Sequence, residues 1–258
     1  MANIVSLMQP YLFPYLGYFQ LIAASSLFIL GDNLQYTRRG WINRNRLLVG
    51  GRVWQFSFPL EQGSRTQAIN ERQLSEQMRP TSQRLLHTIR HAYHRAPCYP
   101  QVFPLLEEIL ENPERNLSHF AEHSIRRICH YMGIDTPMAR VSELELAEDI
   151  GRDQRLIEAV KRSGGDVYLN PEGGRHLYSP ALFNAHGLEL RFLRMDPVSY
   201  PQFSPDFVPS LSIIDVLMLN PPDELQRLLG RYTVERPAPL TLPSGLPGCT
   251  RRAREYES

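Results

Sequence analysis

The sequence predicts an α/β fold, a three-layer, mostly parallel sheet carrying a helical insertion. Three observations predict it. An apolar strand pattern, an amphipathic helix pattern and a second apolar strand pattern fit within the first thirty residues. The same alternation resumes after residue 138, and a proline-punctuated stretch of helical periodicity, residues 70–132, separates the two parts. A strand–helix–strand unit of that length is a crossover, which requires parallel strands and draws ligands to their carboxyl ends.

Each element follows from its own pattern. Ile4 to Met8 is a short apolar run and predicts the first strand; Pro14 to Ala24 predicts the helix after it, and Leu27 to Leu30 the second strand. Leu47 to Phe58 alternates about Gly50-Gly51, the signature of a hairpin. Helical periodicity then runs through 70–132, with Asn112-Pro113-Glu114 read as the start of its last helix and Gly133 as its end. Beyond it, strands are expected at Met138 to Val141, Val167 to Leu169 and Leu188 to Leu193, and helices at Arg152 to Arg162 and Ser179 to His186. Ile213 to Leu219 and Asp223 to Tyr232 close the folded part of a single domain, 1–234. Residues 235–258 are rich in Pro and Arg and are expected to form a disordered tail, because such a composition buries too little apolar surface to offset ordering entropy.

Composition narrows the function classes. The 258 residues carry a net charge of +1, with no concentrated basic face of the kind that nucleic acid requires, so no nucleic-acid partner is expected. Neither a run of eighteen apolar residues nor a secretory leader pattern is present; no membrane span is expected, and the expected location is the cytoplasm. Cys98, Cys129 and Cys249 are odd in number and widely spaced, as reduced thiols are. His87, His91 and His94, and His119 with His123, have helical spacing but lack a companion carboxylate or cysteine pair, so no metal site is assigned to them. Lys161 is the only lysine, which coding bias explains.

The informative segment is the amino-terminal one. Gln9-Pro10-Tyr11-Leu12-Phe13-Pro14-Tyr15-Leu16-Gly17-Tyr18-Phe19, Asp32-Asn33-Leu34-Gln35-Tyr36 and Trp41-Ile42-Asn43-Arg44-Asn45 set polar groups inside apolar, aromatic surroundings, where each needs a partner or a ligand. Gln9 and Asp32 fall at the carboxyl ends of the first two strands, facing one crevice. Asp32 is the candidate base and Arg44 the candidate anion or carbonyl holder. Gln9, Gln35, Asn43 and Asn45 are candidate substrate ligands, walled by Tyr11, Tyr36 and Trp41.

These motifs resemble the WbqC-like family of bacteria, as do Tyr93-His94-Arg95-Ala96-Pro97, Tyr200-Pro201-Gln202 and Leu211-Ser212-Ile213-Ile214-Asp215. The resemblance covers residues 3–220. It departs at Cys98, where relatives commonly carry an aromatic, and at Met8, where many begin with His. It adds Asp215 to the candidate site, although Ser212 and Asp215 also read as a helix cap. It implies an enzyme of surface-polysaccharide or small-molecule biosynthesis, such as O-antigen and lipopolysaccharide assembly. Such an enzyme would transfer an aminoacyl or acyl group to an amine, for instance glycine to a nucleotide-linked amino sugar. No cofactor is expected beyond an activated donor, a thioester or an adenylate. A nucleotidyl- or adenylate-forming enzyme and a non-catalytic sugar- or partner-binding module are the alternatives, and the oligomeric state is open.

Overall fold

The computed structural model describes residues 2–147 and 150–237. Six strands form one sheet: β1 (Ile4–Met8), β2 (Leu27–Leu30), β5 (Met138–Arg140), β6 (Val167–Pro171), β7 (Glu189–Met195) and β8 (Tyr232–Glu235), in spatial order β5-β2-β1-β6-β7-β8. All pairings are parallel except that of β7 with β8. The chain leaves β1 for β2 and β5 on one side, then returns to β6 on the other. The order therefore reverses between β1 and β6, the place where open α/β sheets form their ligand crevice.

Alternation along the strands buries both faces. Phe28, Leu30, Leu169 and Leu193 point into one apolar layer, with Phe19 of α1 (Leu16–Ala23), Ile89 of α2 (Met78–Tyr93), Leu106 of α3 (Tyr99–Glu111) and Phe120 of α4 (Leu117–Tyr131). That layer also takes Leu217 of α7 (Ile213–Leu219) and Leu225 of α8 (Pro222–Leu229). Val5, Ile29, Tyr168, Leu190 and Phe192 point into the opposite layer, packed by Ile157 and Val160 of α5 (Arg152–Arg162) and Phe183 of α6 (Pro180–Ala185). The three layers are those the alternating patterns predict.

Between β2 and β5 the chain builds a separate hairpin, β3 (Arg44–Val49) and β4 (Arg52–Ser57), followed by α2, α3 and α4. Gly50 and Gly51 both have positive φ, 58° and 73°, as a two-residue turn matched to strand twist demands. Helix begins later than periodicity suggested: residues 69–71 form a single 3-10 turn, and Leu60 and Leu74 bridge as isolated strand partners. The last of the three helices also starts later, because Asn116 rather than Asn112 caps it, its Oδ1 accepting from the Ser118 and His119 N–H groups. Gly230 closes α8, and β8 follows at Tyr232 and takes in Glu235, one residue past the expected domain end. Residues 238–258, most of the segment expected to be a disordered tail, lie outside the described residues.

A buried turn joins the sheet to the hairpin. Leu12 and Phe13 are fully buried, and Phe13 holds φ at 49°, a left-handed conformation rare for a bulky residue. Their carbonyls point into the interior, where the Asn45 carboxamide donates to both, at 3.1 Å to Leu12 and 2.6 Å to Phe13. The Ser212 hydroxyl donates to the Phe13 carbonyl as well, at 2.9 Å. Replacing Asn45 by Ala strips the Leu12 carbonyl of its side-chain donor and should lower unfolding free energy by about 2–4 kcal/mol. Asn45→Asp should cost at least as much, because it sets a carboxylate oxygen against two carbonyl oxygens. Urea denaturation followed by circular dichroism measures both; an Asp variant as stable as the parent would show that the turn does not depend on this donor.

Candidate functional site

Strand register brings the carboxyl ends together. Met8 pairs with Leu30 and Leu30 with Arg140, so Gln9, Gly31-Asp32 and Val141-Ser142 emerge side by side beyond β1, β2 and β5. With strands about 4.8 Å apart, Gln9 and Ser142 flank Asp32 from either side. Gln9 is half-buried; the Tyr18 hydroxyl donates to its backbone carbonyl at 3.1 Å, while its carboxamide makes no hydrogen bond to any described residue. Asp32 is 1% exposed. Its Oδ1 accepts from the Ser142 backbone N–H at 3.0 Å, and its Oδ2 accepts from the Ser142 hydroxyl at 2.5 Å and from Asn70 Nδ2 at 3.3 Å. Ser142 itself is exposed. A buried carboxylate thus grips an exposed hydroxyl beyond the carboxyl ends of β2 and β5, an arrangement that polarises the O–H bond.

The other candidates make contacts of their own. Tyr36 donates its hydroxyl to Asn43 Oδ1 at 2.9 Å, and Asn43 Nδ2 donates to the Phe58 carbonyl at 2.7 Å, with the Arg72 guanidinium 5.1 Å above the Tyr36 ring. Gln35 is exposed and donates to the Arg65 carbonyl at 2.8 Å. Arg44 turns back on its own loop, Nε donating to the Gly40 carbonyl at 2.6 Å and Nη2 to that of Arg38 at 2.9 Å. Trp41 is 49% exposed, with the Arg46 guanidinium over its ring, and Tyr11 packs edge-on against Tyr18 at 5.2 Å. No hydrogen bond among the described residues joins Asp32 to Arg44, Asn43 or Asn45. Asn45 belongs to the buried turn at Leu12 and Phe13, so Asn45 and Asn43 spend their polar groups on the chain itself.

Asp215 is the centre of a different network. Fully buried, it accepts from the Tyr93 hydroxyl at 2.7 Å on Oδ1, and on Oδ2 from the Tyr200 hydroxyl at 2.7 Å and Gln202 Nε2 at 3.1 Å. Tyr93 in turn accepts from the Leu48 N–H of β3. Motifs more than one hundred residues apart in sequence thus meet on one carboxylate. Burial raises the pKa of Asp215, opposed by the three donors, and burial followed by the Asp215 charge raises those of Tyr93 and Tyr200. Beside it a cavity of about 330 Å³ opens at the carboxyl end of β7, between Tyr15 and Leu16 at the start of α1, Met195, Tyr200 and Leu211.

Ser142 and Asn70 carry no motif and were not legible as site residues; only the register of β5 and the fold of the 69–71 turn disclose them. Cys98 and Cys129 are buried, and burial raises both thiols, that of Cys129 up to about 12, away from the range of a reactive thiolate. Cys249 lies outside the described residues.

Asp215→Ala should destabilise the fold by about 3–5 kcal/mol, since two tyrosine hydroxyls and a carboxamide lose their shared acceptor in the interior. The folded-state pKa of Asp215 lies above its unfolded value. Its contribution is therefore complete below about pH 4 and is lost as pH rises through the folded value. Measured by urea titration, parental stability minus that of Asp215→Asn should fall across this range; a pH-independent difference would show that the buried carboxyl does not titrate apart from its unfolded form.

Comparison with known proteins adds the lineage. The chain is 28% identical over 218 residues to "Uncharacterized protein Rv1507c" of Mycobacterium tuberculosis (strain ATCC 25618 / H37Rv), a match spanning 83% of this chain and 92% of that protein. No solved structure matches it. The model of the WbqC-like protein family matches residues 9–227, a span that holds every motif described above, and the chain belongs to that family.

Proposed function

We propose that this protein is a transferase that forms an amide between an activated acyl or aminoacyl donor, a thioester or an adenylate, and the amine of a nucleotide-linked amino sugar. The observation that carries the reading is the Asp32–Ser142 pair, a buried carboxylate gripping an exposed hydroxyl at the carboxyl ends of parallel strands. In this reading the acceptor nitrogen attacks the acyl carbon, the N–C bond forms and the bond from carbon to the thiol or phosphate leaving group breaks. The nitrogen must shed one proton. Ser142 Oγ takes it while passing its own to Asp32, which ends the step protonated.

The remaining residues support the reading as positioning groups. The Gln9 carboxamide, free of partners among the described residues, is placed to orient a carbonyl or sugar hydroxyl. Arg44 keeps Nη1 without a partner among the described residues and would hold an anionic part of the donor, while Gln35, Tyr36, Trp41 and Asn43 form the adjoining wall. Asp215 and Asn45 act at one remove, by fixing the loops that carry these side chains. No helix among the described residues is long and apolar enough to cross a membrane. Nucleotide-linked sugars and acyl thioesters are intracellular metabolites, so the reading locates the reaction in the cytoplasm, in polysaccharide or small-molecule assembly.

The test is direct. The purified chain is incubated with acyl and aminoacyl thioesters or adenylates and nucleotide-linked amino sugars, and amide products are sought by mass spectrometry. Ser142→Ala keeps the backbone N–H that Asp32 accepts, and should remain folded while slowing turnover by about 10²-fold or more. Asp32→Asn should slow it as far, with a modest loss of stability, because Ser142 and Asn70 can each rotate to face the new amide. Failure of every donor–acceptor pair to give product, or full activity in Ser142→Ala, would overturn the reading.

A further inference from the structure

The hairpin leaves a strand edge open beside a helix. β4 pairs only with β3 among the described residues. Across the two-residue turn, Val49 and Arg52 form a hydrogen-bonded pair, so bonded pairs recur at Leu47 with Trp54 and Asn45 with Phe56. The N–H and C=O groups of Val53, Gln55 and Ser57 therefore point away from β3, and none has a backbone partner among the described residues. All three residues are exposed. The strand carries neither Lys nor Pro, the usual devices that blunt an open edge.

Alongside this edge runs a groove of about 710 Å³, floored by Trp54 and Phe56 and walled by Thr81, Arg84, His87 and Thr88 of α2. Among the described residues its lining contains no carboxylate. Arg84 is exposed and its guanidinium donates only to Thr81 Oγ1, at 3.2 Å, among the described residues. His87 is exposed as well, and Arg52 stands at the start of the strand. An open ladder thus borders a groove whose ionisable groups are all basic.

We propose that this groove binds an acidic, extended polypeptide segment of a partner protein, which adds to β4 as a further strand and lays alternate side chains against Trp54 and along α2. Backbone groups of Val53, Gln55 and Ser57 supply the ladder, and Arg84, His87 and Arg52 select carboxylates. Charge decides the occupant. A second copy pairing β4 with itself about Gln55 would set Arg84 against its equivalent, like charge facing like. The chain's own segment 238–258 carries Pro239, Pro243 and Pro247, which lack N–H donors, and sets Arg251, Arg252 and Arg254 against Glu255 and Glu257, a net charge of +1 that a basic groove does not attract. The surface is independent of the amide-forming reading.

Fluorescence anisotropy with two labelled heptapeptides, alternating Val with Glu and alternating Val with Lys, tests it. The Glu peptide should bind, weaken as ionic strength rises, and outcompete the Lys peptide by about tenfold or more. Gln55→Pro deletes the central outward N–H at a position where the ring breaks no existing ladder bond, and should weaken binding about tenfold. Arg84→Glu, on an exposed helix face, should abolish preference for the Glu peptide and keeps the test decisive if the proline perturbs the hairpin. No binding of the Glu peptide at about 1 mM, equal affinity for both peptides, or a concentration-dependent dimer that Gln55→Pro disperses would overturn the proposal.

Discussion

The fold depends on satisfying two carbonyls in a place where water cannot reach. The turn at Leu12 and Phe13 is driven into the core by its own side chains, and its left-handed residue turns both carbonyls inward. One carboxamide, from Asn45, and one hydroxyl, from Ser212, meet them. An unpaired carbonyl in that position costs as much as several good apolar contacts contribute, so the hairpin and α7 are held to the start of the sheet by an obligation rather than by area. The Ser212 N–H donates to the Arg46 carbonyl and the Ile213 N–H to that of Pro14, which extends the same knot by two backbone bonds.

Two buried carboxylates repeat the solution elsewhere. Asp215 joins β3, through Tyr93, to the loop carrying Tyr200 and Gln202; Asp32 joins the end of β2 to Asn70 and to the turn after β5. The two differ in a way that bears on chemistry. Every donor on Asp215 is itself at least partly enclosed, whereas Asp32 reaches an exposed hydroxyl. A carboxylate linked to the surface through one O–H can exchange a proton with a ligand; one enclosed by tyrosines serves mainly to hold loops in place.

Much of the fold was legible because it rests on local periodicity. The strands at Ile4–Met8 and Leu27–Leu30, the helix Arg152–Arg162 and the Gly50-Gly51 hairpin follow from apolar spacing and turn chemistry, which act within a few residues. The misplaced boundaries have physical causes. Residues 72–77 read as helical, but Gln73 and Leu74 bridge to Asn116 and Leu60, and the edge strand Tyr232–Glu235 forms only because β7 offers it a partner. Propensity carries no record of such partners.

The sequence by itself determined the lineage, the layered α/β architecture and the list of polar residues that must find partners, because composition and spacing dictate what each segment can bury. Tertiary structure alone decided which partners they found. Asn43, Asn45 and Asp215 face inward to the chain, while the Gln9 carboxamide has no hydrogen-bond partner among the described residues and Asp32 meets Ser142. The last of these rests on the register of β2 with β5, which brings together residues 110 apart in sequence. A hydrogen bond is directional within a few tenths of an ångström, and only the assembled sheet sets distances that finely.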